Sequence, residues 1–301
     1  MRIAITGSTG MVGNRLVNHF RQEGHHVTRL VRGESGSEYD EPAIYWNPTK
    51  GEISKEGLEG QDVVIHLAGA NIAARKWTRE RKYEILKSRQ LGTSLLAQAL
   101  TELSRPPALL LSASGGEYAD TSGRTPVDES CPLGKGFLAS VEKEWEKETE
   151  VAAQAGIRVV NMRLGVVMSR KGGALAKMLP LFRVGLGGRM GSGKQITSWI
   201  LLDEIPYIIH HLIQHEEVIG PVNMVSPNPV TNAEFSRILA KVLGRPALFP
   251  KPAGLIKLLL GEMGEEVLLT GSRIEPGKLK SSGYQFRYPE LESALKHELQ
   301  G

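Results

Sequence analysis

The chain has 301 residues, of which 41% are hydrophobic and 23% are charged, and its formal net charge is +4. This is ordinary globular composition, sufficient for one large or two modest domains. The small surplus of Lys and Arg is dispersed among acidic residues, which argues against a nucleic-acid-binding surface. The single cysteine, Cys131, excludes an intrachain disulfide framework, and no ligand cluster predicts a metal site.

The N-terminal sequence contains no signal-peptide pattern before the first apolar run. The longest apolar stretches are too short to cross a bilayer. A single cysteine also fits a reducing compartment. We therefore expect a cytoplasmic protein that does not contact membranes.

Strand and helix patterns alternate through the first half of the chain. Short apolar runs predict strands over residues 2–5, 27–31, 43–46, 62–67, 108–112 and 157–163. Longer periodic stretches predict helices over residues 11–23, 79–100 and 138–155. Such alternation is typical of right-handed βαβ units around a parallel sheet. We therefore predict an α/β fold with a Rossmann-like, doubly wound parallel sheet.

Beyond residue 168 the pattern changes. Glycines at 172–173 and 185–193 indicate loop-rich sequence, while residues 203–215 predict a helix and residues 221–225 a strand that returns to the main sheet. A helix over 232–243 begins with the capping-box pattern of Thr231 and Glu234. We predict one domain of residues 1–168, rejoined by 203–226, and a smaller C-terminal α/β domain of 169–202 and 227–301.

Three glycines, Gly7, Gly10 and Gly13, separate the first predicted strand from the first predicted helix. A helix N-terminus offers free N–H groups and the positive end of its dipole to an anion. Gly7 permits a tight turn, Gly10 lets the backbone approach phosphates, and Gly13 lets the helix pack closely on the strand. The spacing G-x-x-G-x-x-G therefore predicts binding of a dinucleotide pyrophosphate. A βα turn without a ligand is the alternative.

The end of the second predicted strand indicates which dinucleotide binds. An acidic residue there would bind the ribose 2′-hydroxyl of NAD, but residues 28–32 read TRLVR. Because a guanidinium accommodates a 2′-phosphate, we predict NADP, with Arg32 as the phosphate ligand. Arg29 faces the opposite side from its strand neighbours, and we expect it to face solvent. Ordinary surface charge is the alternative for both arginines.

Several segments, in order, resemble the extended short-chain dehydrogenase/reductase superfamily, the NAD(P)-dependent epimerases and dehydratases. Those in the first half are residues 6–13, 62–69, 111–118 and 163–167. Residues 187–193, 198–203, 220–223, 229–235 and 283–286 resemble one atypical branch, an epimerase family of uncharacterised substrate. The resemblance covers nearly the whole chain. It implies NADP as cofactor, a small-molecule substrate on the side of the smaller domain, and a homodimer formed through the helices at 79–100 and 138–155.

The resemblance also implies which positions contact the cofactor. In the glycine-rich loop they are Gly7, Thr9, Gly10, Met11, Val12 and Gly13. At the strand ends they are Val31, Arg32, Leu67, Ala68, Gly69 and Val167, and on the helix after the fourth predicted strand they are Glu84 and Arg89. Core packing is the alternative for Leu67, Ala68 and Val167. His66 lies inside an apolar strand, so we predict a buried histidine with satisfied hydrogen bonds rather than a catalyst.

The superfamily's catalytic set is a Ser or Thr, a Tyr, and a Lys four residues after that Tyr. Ser114 fits the serine position, with Ser112 as second choice. The expected Tyr and Lys are absent, because Leu138 and Glu142 stand at their positions. Tyr118, four residues after Ser114, is our substitute for the missing acid/base. A free Tyr, with a pKa of about 10, needs tuning to act at neutral pH.

The resemblance favours an NADP-dependent oxidoreductase or epimerase that acts on a small polar substrate such as a nucleotide sugar. Arg163 and Arg189 would hold a second anionic group of that substrate, with ordinary surface charge as the alternative. Because the Tyr-x-x-x-Lys motif is absent, a non-catalytic NADP(H)-binding regulator is the alternative function. A scaffold that binds no cofactor is the third interpretation.

Overall fold

A computed structural model describes residues 1–32, 43–119, 123 and 125–300 of the chain. In chain order its strands are β1 (Arg2–Thr6), β2 (His26–Val31), β3 (Ala43–Asn47), β4 (Glu52–Ile53), β5 (Val63–His66), β6 (Leu109–Ser114), β7 (Arg158–Leu164), β8 (Val166–Met168), β9 (Ile196–Thr197), β10 (Trp199–Leu201), β11 (Gly220–Met224) and β12 (Val230–Thr231).

The helices range in length from 4 residues to 23 residues. In chain order they are α1 (Met11–Gln22), α2 (Lys55–Leu58), α3 (Arg79–Thr101), α4 (Phe137–Lys147), α5 (Glu150–Gln154), α6 (Gly173–Arg183), α7 (Ile205–Gln214), α8 (Asn232–Leu243), α9 (Ala253–Leu260), α10 (Glu262–Leu268), α11 (Gly277–Ser281) and α12 (Leu291–Gln300).

The largest sheet has eight strands in the order β11-β7-β6-β5-β1-β2-β3-β4. Neighbouring strands are parallel except β3 and β4. Strand β1 lies between β2 and β5, so the chain reverses its direction of travel across the sheet at this point. In such sheets ligands bind at the carboxyl ends of the strands beside this switch point. The predicted doubly wound parallel sheet is confirmed.

Both faces of this sheet are covered by helices. On one face, Leu16 of α1 and Ile208 of α7 belong to a buried cluster with Ile5 of β1. On the other face, Leu96 of α3 packs in a second cluster with Ala4 of β1. Consecutive residues of β1 thus enter opposite cores, as the strand period of two requires. With both faces buried, the loops at the carboxyl edge are where a ligand can approach.

The helix predicted over 138–155 is interrupted, and this prediction is wrong. Two helices, α4 and α5, occupy the region, with the buried Thr149 between them. The Thr149 hydroxyl lies 2.7 Å from the carbonyl oxygen of Glu146 and 3.3 Å from Oδ1 of Asn161 on β7. A hydroxyl that bonds to backbone and to a neighbouring strand competes with helical geometry, so the helix ends early.

The loop-rich sequence expected after residue 168 contains a helix that the prediction missed. Helix α6 buries Leu175, Leu179 and Phe182, which follow helical spacing, although Pro180 lies within it. The flanking glycines and this proline concealed the periodicity. The strand predicted over 221–225 is confirmed, since β11 pairs in parallel with β7 at the edge of the large sheet.

The C-terminal part has a core of its own, in which Phe235 and Leu239 of α8 pack with Leu291 and Leu295 of α12. The predicted capping box of α8 is confirmed: the Thr231 hydroxyl accepts from the Glu234 N–H at 3.2 Å, and the Glu234 carboxylate accepts from the Thr231 N–H at 2.8 Å. The proposed division into two domains remains a prediction. No helix among the described residues combines the length and apolar character needed to span a membrane.

Candidate functional site

The glycine-rich loop between β1 and α1 approaches its neighbours too closely for any side chain. Gly7 has φ +62°, and a Cβ there would lie 2.8 Å from the carbonyl carbon of Leu67. A Cβ on Gly13 would lie 2.3 Å from the carbonyl oxygen of Gly7. Gly10 closes the turn, since its N–H donates to the same oxygen at 3.0 Å. The loop is therefore tightly curled, with α1 packed directly against it.

The N-terminus of α1 is prepared for an anion. Its N-cap is Gly10, which supplies no side-chain oxygen, and its first turn contains no acidic residue. The N–H groups of Met11, Val12 and Gly13 have no acceptor among the described residues. Thr9 and Gly10 are exposed at this end. Free N–H groups with the positive dipole end fit a dinucleotide pyrophosphate.

The two arginines of β2 have different roles. Arg32 directly follows the strand and is exposed, beside the half-buried Val31. Arg29 does not face solvent, and that expectation is wrong: it is half-buried, and its Nη1 donates to the carbonyl oxygen of Ser8 at 2.7 Å. This contact braces the glycine-rich loop from the neighbouring strand. Arg32 is thus the arginine whose position at the strand end suits a ribose 2′-phosphate.

A chain of buried hydrogen bonds holds the loop that follows β5. The Thr6 hydroxyl accepts from the N–H groups of Leu67, at 3.0 Å, and Ala68, at 3.2 Å. It lies 2.8 Å from Nδ1 of His66, whose Nε2 lies 3.0 Å from the Thr93 hydroxyl. Because Thr6 already accepts twice, it donates its proton to His66, which places the ring proton on Nε2. Burial, and secondarily Arg89, lower the pKa of His66 to about 3.

These contacts confirm that His66 is a buried, hydrogen-bonded histidine. They also position Leu67, Ala68 and Gly69 along the carboxyl edge of β5, beside the glycine-rich loop. Arg89 of α3 lies over this segment, with its Nη1 3.1 Å from the carbonyl oxygen of Ala70. The Arg89 guanidinium stacks 4.6 Å from the ring centre of Trp145. Arg89 is therefore held against the strand end rather than free in solvent.

The two remaining predicted cofactor positions, Val167 and Glu84, have different surroundings. Val167 lies near the start of α1, because a Cβ on Gly173 would lie 3.4 Å from both its carbonyl oxygen and the Met11 side chain. Glu84 is about half exposed, with a carboxylate that pairs with Arg75 at 2.9 Å and with Arg81 at 2.6 Å. The contacts of Glu84 are thus with Arg81 in the first turn of α3 and with Arg75 in the segment before that helix. Its role toward a cofactor remains a prediction.

Ser114 and Tyr118 lie together at the carboxyl end of β6, but their hydroxyls are occupied. Ser114 donates to the Glu146 carboxylate at 2.8 Å. Tyr118 donates to Oδ1 of Asn223 at 2.6 Å and accepts from Nη1 of Arg163 at 2.9 Å. Tyr118 is only 2% exposed, and burial raises its pKa to about 12. Both residues are parts of a buried network, and their catalytic assignment remains a prediction.

The expectation that Arg163 binds an anionic substrate does not fit its environment. Its guanidinium forms a two-point pair with Glu146, at 2.7 and 2.8 Å, in addition to the Tyr118 bond. It is 6% exposed. A buried guanidinium with a carboxylate partner of its own has little capacity for a second anion. The expectation for Arg189 is not tested, and this residue hydrogen-bonds the carbonyl oxygen of Ser192.

A group of three carboxyls near β6 was not identified from the sequence as a unit. Glu142 of α4 is 7% exposed, and its Oε2 accepts from the backbone N–H of Glu117 at 2.9 Å. Glu266 of α10 accepts from the N–H groups of Phe137 and Leu138 at the start of α4, at 2.9 and 3.0 Å. Burial, then Glu266, raise the pKa of Glu117 to about 7. Glu142 was noticed only as a residue at the superfamily's Lys position.

Residues 3–225 match the NAD dependent epimerase/dehydratase family, and residues 252–298 match a domain of unknown function, DUF1731. The chain belongs to the NAD dependent epimerase/dehydratase family. An epimerase family protein of Mycobacterium bovis, Mb2239, is 39% identical over 294 residues, which cover 97% of this chain and 96% of that protein. The predicted family is therefore confirmed.

Two solved structures of epimerase-family proteins are similar in fold to this chain. The crystal structure of human epimerase family protein SDR39U1 (isoform2) with NADPH has a TM-score of 0.91 and 33% identity, covering 100% of both chains. That of the nucleoside-diphosphate sugar epimerase from Corynebacterium glutamicum has a TM-score of 0.79 and 33% identity, covering 99% of this chain and 58% of that one. The cofactor in the human structure agrees with the dinucleotide predicted from Arg32.

Proposed function

We propose that this chain is an NADPH-dependent oxidoreductase or epimerase-like enzyme that acts on a small polar substrate, with nucleotide sugars as the first class to test. The observation that carries the cofactor assignment is the cradle at β1 and α1. There Gly7 and Gly13 leave no room for side chains, and the free N–H groups of α1 offer an anion site. The NADPH in the human relative supports the same assignment.

Different residues around the loop between β1 and α1 would bind different parts of the cofactor. The loop from Gly7 to Gly13 would bind the pyrophosphate through backbone N–H groups, and Arg32 would bind the ribose 2′-phosphate. The segment at Leu67 and Ala68, held by Thr6, would lie along the dinucleotide at the end of β5. When bound, NADPH supplies a hydride. This chain's own residues must then bind and orient the substrate and move a proton.

The substrate class rests on weaker support than the cofactor. The Corynebacterium glutamicum relative is a nucleoside-diphosphate sugar epimerase, and its similarity to this chain covers the C-terminal part as well. We therefore propose UDP- and dTDP-sugars as the first panel. Loss of NADPH absorbance, or conversion of one sugar nucleotide into its epimer, would support the enzyme assignment. A chain that binds NADPH yet leaves every member of the panel unchanged would favour the second candidate.

The second candidate is a non-catalytic NADP(H)-binding regulator. Leu138 and Glu142 stand where the superfamily has Tyr and Lys, and the hydroxyls of Ser114 and Tyr118 are hydrogen-bonded within the protein. The two candidates differ in one measurable respect. An enzyme either oxidises NADPH with its substrate or converts a sugar nucleotide into its epimer, whereas a regulator binds NADP(H) and leaves both cofactor and substrate unchanged.

A further inference from the structure

The loop that connects Ser114 with Tyr118 carries an acidic side chain, Glu117, just beyond the carboxyl end of β6. Glu117 is half-buried, and its carboxyl receives no hydrogen bond from any described residue. It lies in the loop after the last residue of β6, Ser114, so it is at the carboxyl edge of the sheet, where ligands bind in folds of this kind. Ser114 and Tyr118, the residues named from sequence, have their hydroxyls committed to other protein groups.

We propose that Glu117 is the acid–base residue of the NADPH-dependent reaction, and that Glu142 is the positioning residue that holds its loop. This inference rests on the proposed function. It assigns the proton to a carboxyl group and replaces the missing Tyr and Lys pair with two glutamates. Carbonyl compounds and alcohols are the substrate class that such a hydride-and-proton site takes.

The contact between the two glutamates is built into the loop. Glu142 Oε2 accepts from the Glu117 N–H at 2.9 Å. A Cβ on Gly115 would lie 2.1 Å from Glu142 Oε1, so the carboxyl fits under the loop only because residue 115 is glycine. Glu142 thus occupies the superfamily's Lys position and holds the backbone of the residue that we propose as the acid. Its carboxyl positions Glu117 without itself having to reach the substrate.

The surroundings of Glu117 raise its pKa, so that it exchanges a proton near neutral pH. The charged groups that face it are Glu142 of α4 and Glu266 of α10, both carboxyls. The two guanidinium groups that interact with the neighbouring Glu142 are engaged elsewhere: Arg163 pairs with Glu146, and Arg89 donates to backbone carbonyls. Burial and like charge raise the pKa of Glu117 to about 7, which suits a group that must both donate and accept a proton near neutrality.

The proposed step consumes NADPH, the carbonyl compound and one proton from solvent. In the reductive direction, the hydride from NADPH forms a C–H bond at the carbonyl carbon, and the π electrons of the C=O bond move to oxygen. The proton of Glu117 forms the O–H bond, which leaves an alcohol, NADP and a Glu117 carboxylate. Water then returns a proton to Glu117. In the oxidative direction the carboxylate accepts the proton from the alcohol.

The test compares Glu117→Gln with wild type and with Glu150→Gln, an exposed glutamate elsewhere on the surface. Isatin, an aromatic ketone, serves as the carbonyl probe, and NADPH oxidation is followed against pH. Wild type should lose reductive kcat above a midpoint near the Glu117 pKa of about 7. Glu117→Gln should lower kcat by about 100-fold or more, the usual contribution of a general acid, and abolish that midpoint. Glu150→Gln should behave as wild type.

An infrared titration without cofactor gives a readout that does not depend on activity. Wild type should show a component of the protonated-carboxyl band that disappears as pH rises through about 7, and Glu117→Gln should lack that component. The contribution of Glu142, whose pKa burial also raises, should remain in both proteins. Glu142→Ala should lower kcat with little change in KM, whereas Glu142→Gln, which keeps an oxygen for the Glu117 N–H, should restore it. Rescue of this kind separates positioning from general damage.

Three results would overturn the proposal. Glu117→Gln could retain wild-type turnover and pH dependence, which would leave the enzyme assignment intact and remove Glu117 from it. The infrared component that titrates near pH 7 could be absent in wild type or present in Glu117→Gln. Wild type could bind NADPH yet oxidise none with isatin or the sugar nucleotides, in which case the enzyme assignment fails together with the acid, and only cofactor binding stands.

Discussion

Replacing Gly7 with Ala separates backbone strain from steric exclusion at the cofactor cradle, because the chain provides a matched control. Gly7 and Gly244 have almost the same left-handed backbone, with φ values of +62° and +63°. A Cβ on Gly244, at the C-terminal end of α8, meets nothing within 4 Å, whereas one on Gly7 would lie 2.8 Å from the Leu67 carbonyl carbon. Both variants carry the left-handed strain, and only Gly7→Ala must also move the loop.

We expect Gly244→Ala to lower the free energy of unfolding by about 1–2 kcal/mol, the usual cost of a left-handed non-glycine residue, and to leave the Kd for NADPH unchanged. Gly7→Ala should lower stability by more than that, because the Leu67 carbonyl must shift as well. Its Kd for NADPH should rise by at least about tenfold, equivalent to about 1.4 kcal/mol. Urea unfolding and a fluorescence titration with NADPH measure the two quantities. Equal NADPH affinity in Gly7→Ala and wild type would refute this account of the cradle.

Three further perturbations test other parts of the structure. His66 stays neutral in the folded protein, with a pKa of about 3, whereas in the unfolded chain it is protonated below about pH 6.5. The free energy of unfolding of wild type should therefore fall by up to about 1.4 kcal/mol per pH unit below pH 6.5, relative to that of His66→Gln. Parallel plots of unfolding free energy against pH for the two proteins would contradict this. Arg163→Met leaves the half-buried Glu146 carboxylate without its cationic partner and with only the Ser114 hydroxyl as a donor, which should cost about 3 kcal/mol in urea unfolding. A cost below about 1 kcal/mol would show that the pair is unimportant. Glu204→Ala removes the buried acceptor of the Arg287 and Tyr288 N–H groups, so amide exchange in the last 20 or so residues should accelerate, and unchanged protection would refute the anchoring role of Glu204.

Local patterns were the part of the fold that sequence could predict. The alternation of apolar runs with amphipathic helices fixes the βαβ order, since each signal lies within one element. The capping box at Thr231 and Glu234 and the glycines of the loop were predicted for the same reason: their partners are a few residues away. At Gly7 the structure adds the close approach of Leu67, which lies 60 residues further along the chain.

Contacts between distant segments account for what the sequence could not predict. The helix predicted over 138–155 is interrupted because the Thr149 hydroxyl bonds to Asn161 on the next strand, β7. Arg29 is held by the Ser8 carbonyl, which the alternation of a strand does not reveal. In the candidate site, the pairing of Glu142 with the Glu117 N–H joins residues 25 positions apart. Gly115 leaves the space that the Glu142 carboxyl occupies, but the sequence alone does not show that this carboxyl lies there.

The central claim is that the cradle at β1 and α1 binds NADPH through a 2′-phosphate contact at Arg32. We would titrate wild type, Arg32→Ala and the exposed control Arg245→Ala with NADPH and NADH, following the fluorescence of the reduced nicotinamide. Loss of a charge-assisted phosphate contact is worth about 1.5–3 kcal/mol, so Arg32→Ala should weaken NADPH binding by about 10-fold or more and leave NADH binding unchanged. Wild type should prefer NADPH, and the control should match wild type. Equal affinities for the two cofactors, or equal losses of both in Arg32→Ala, would contradict the account.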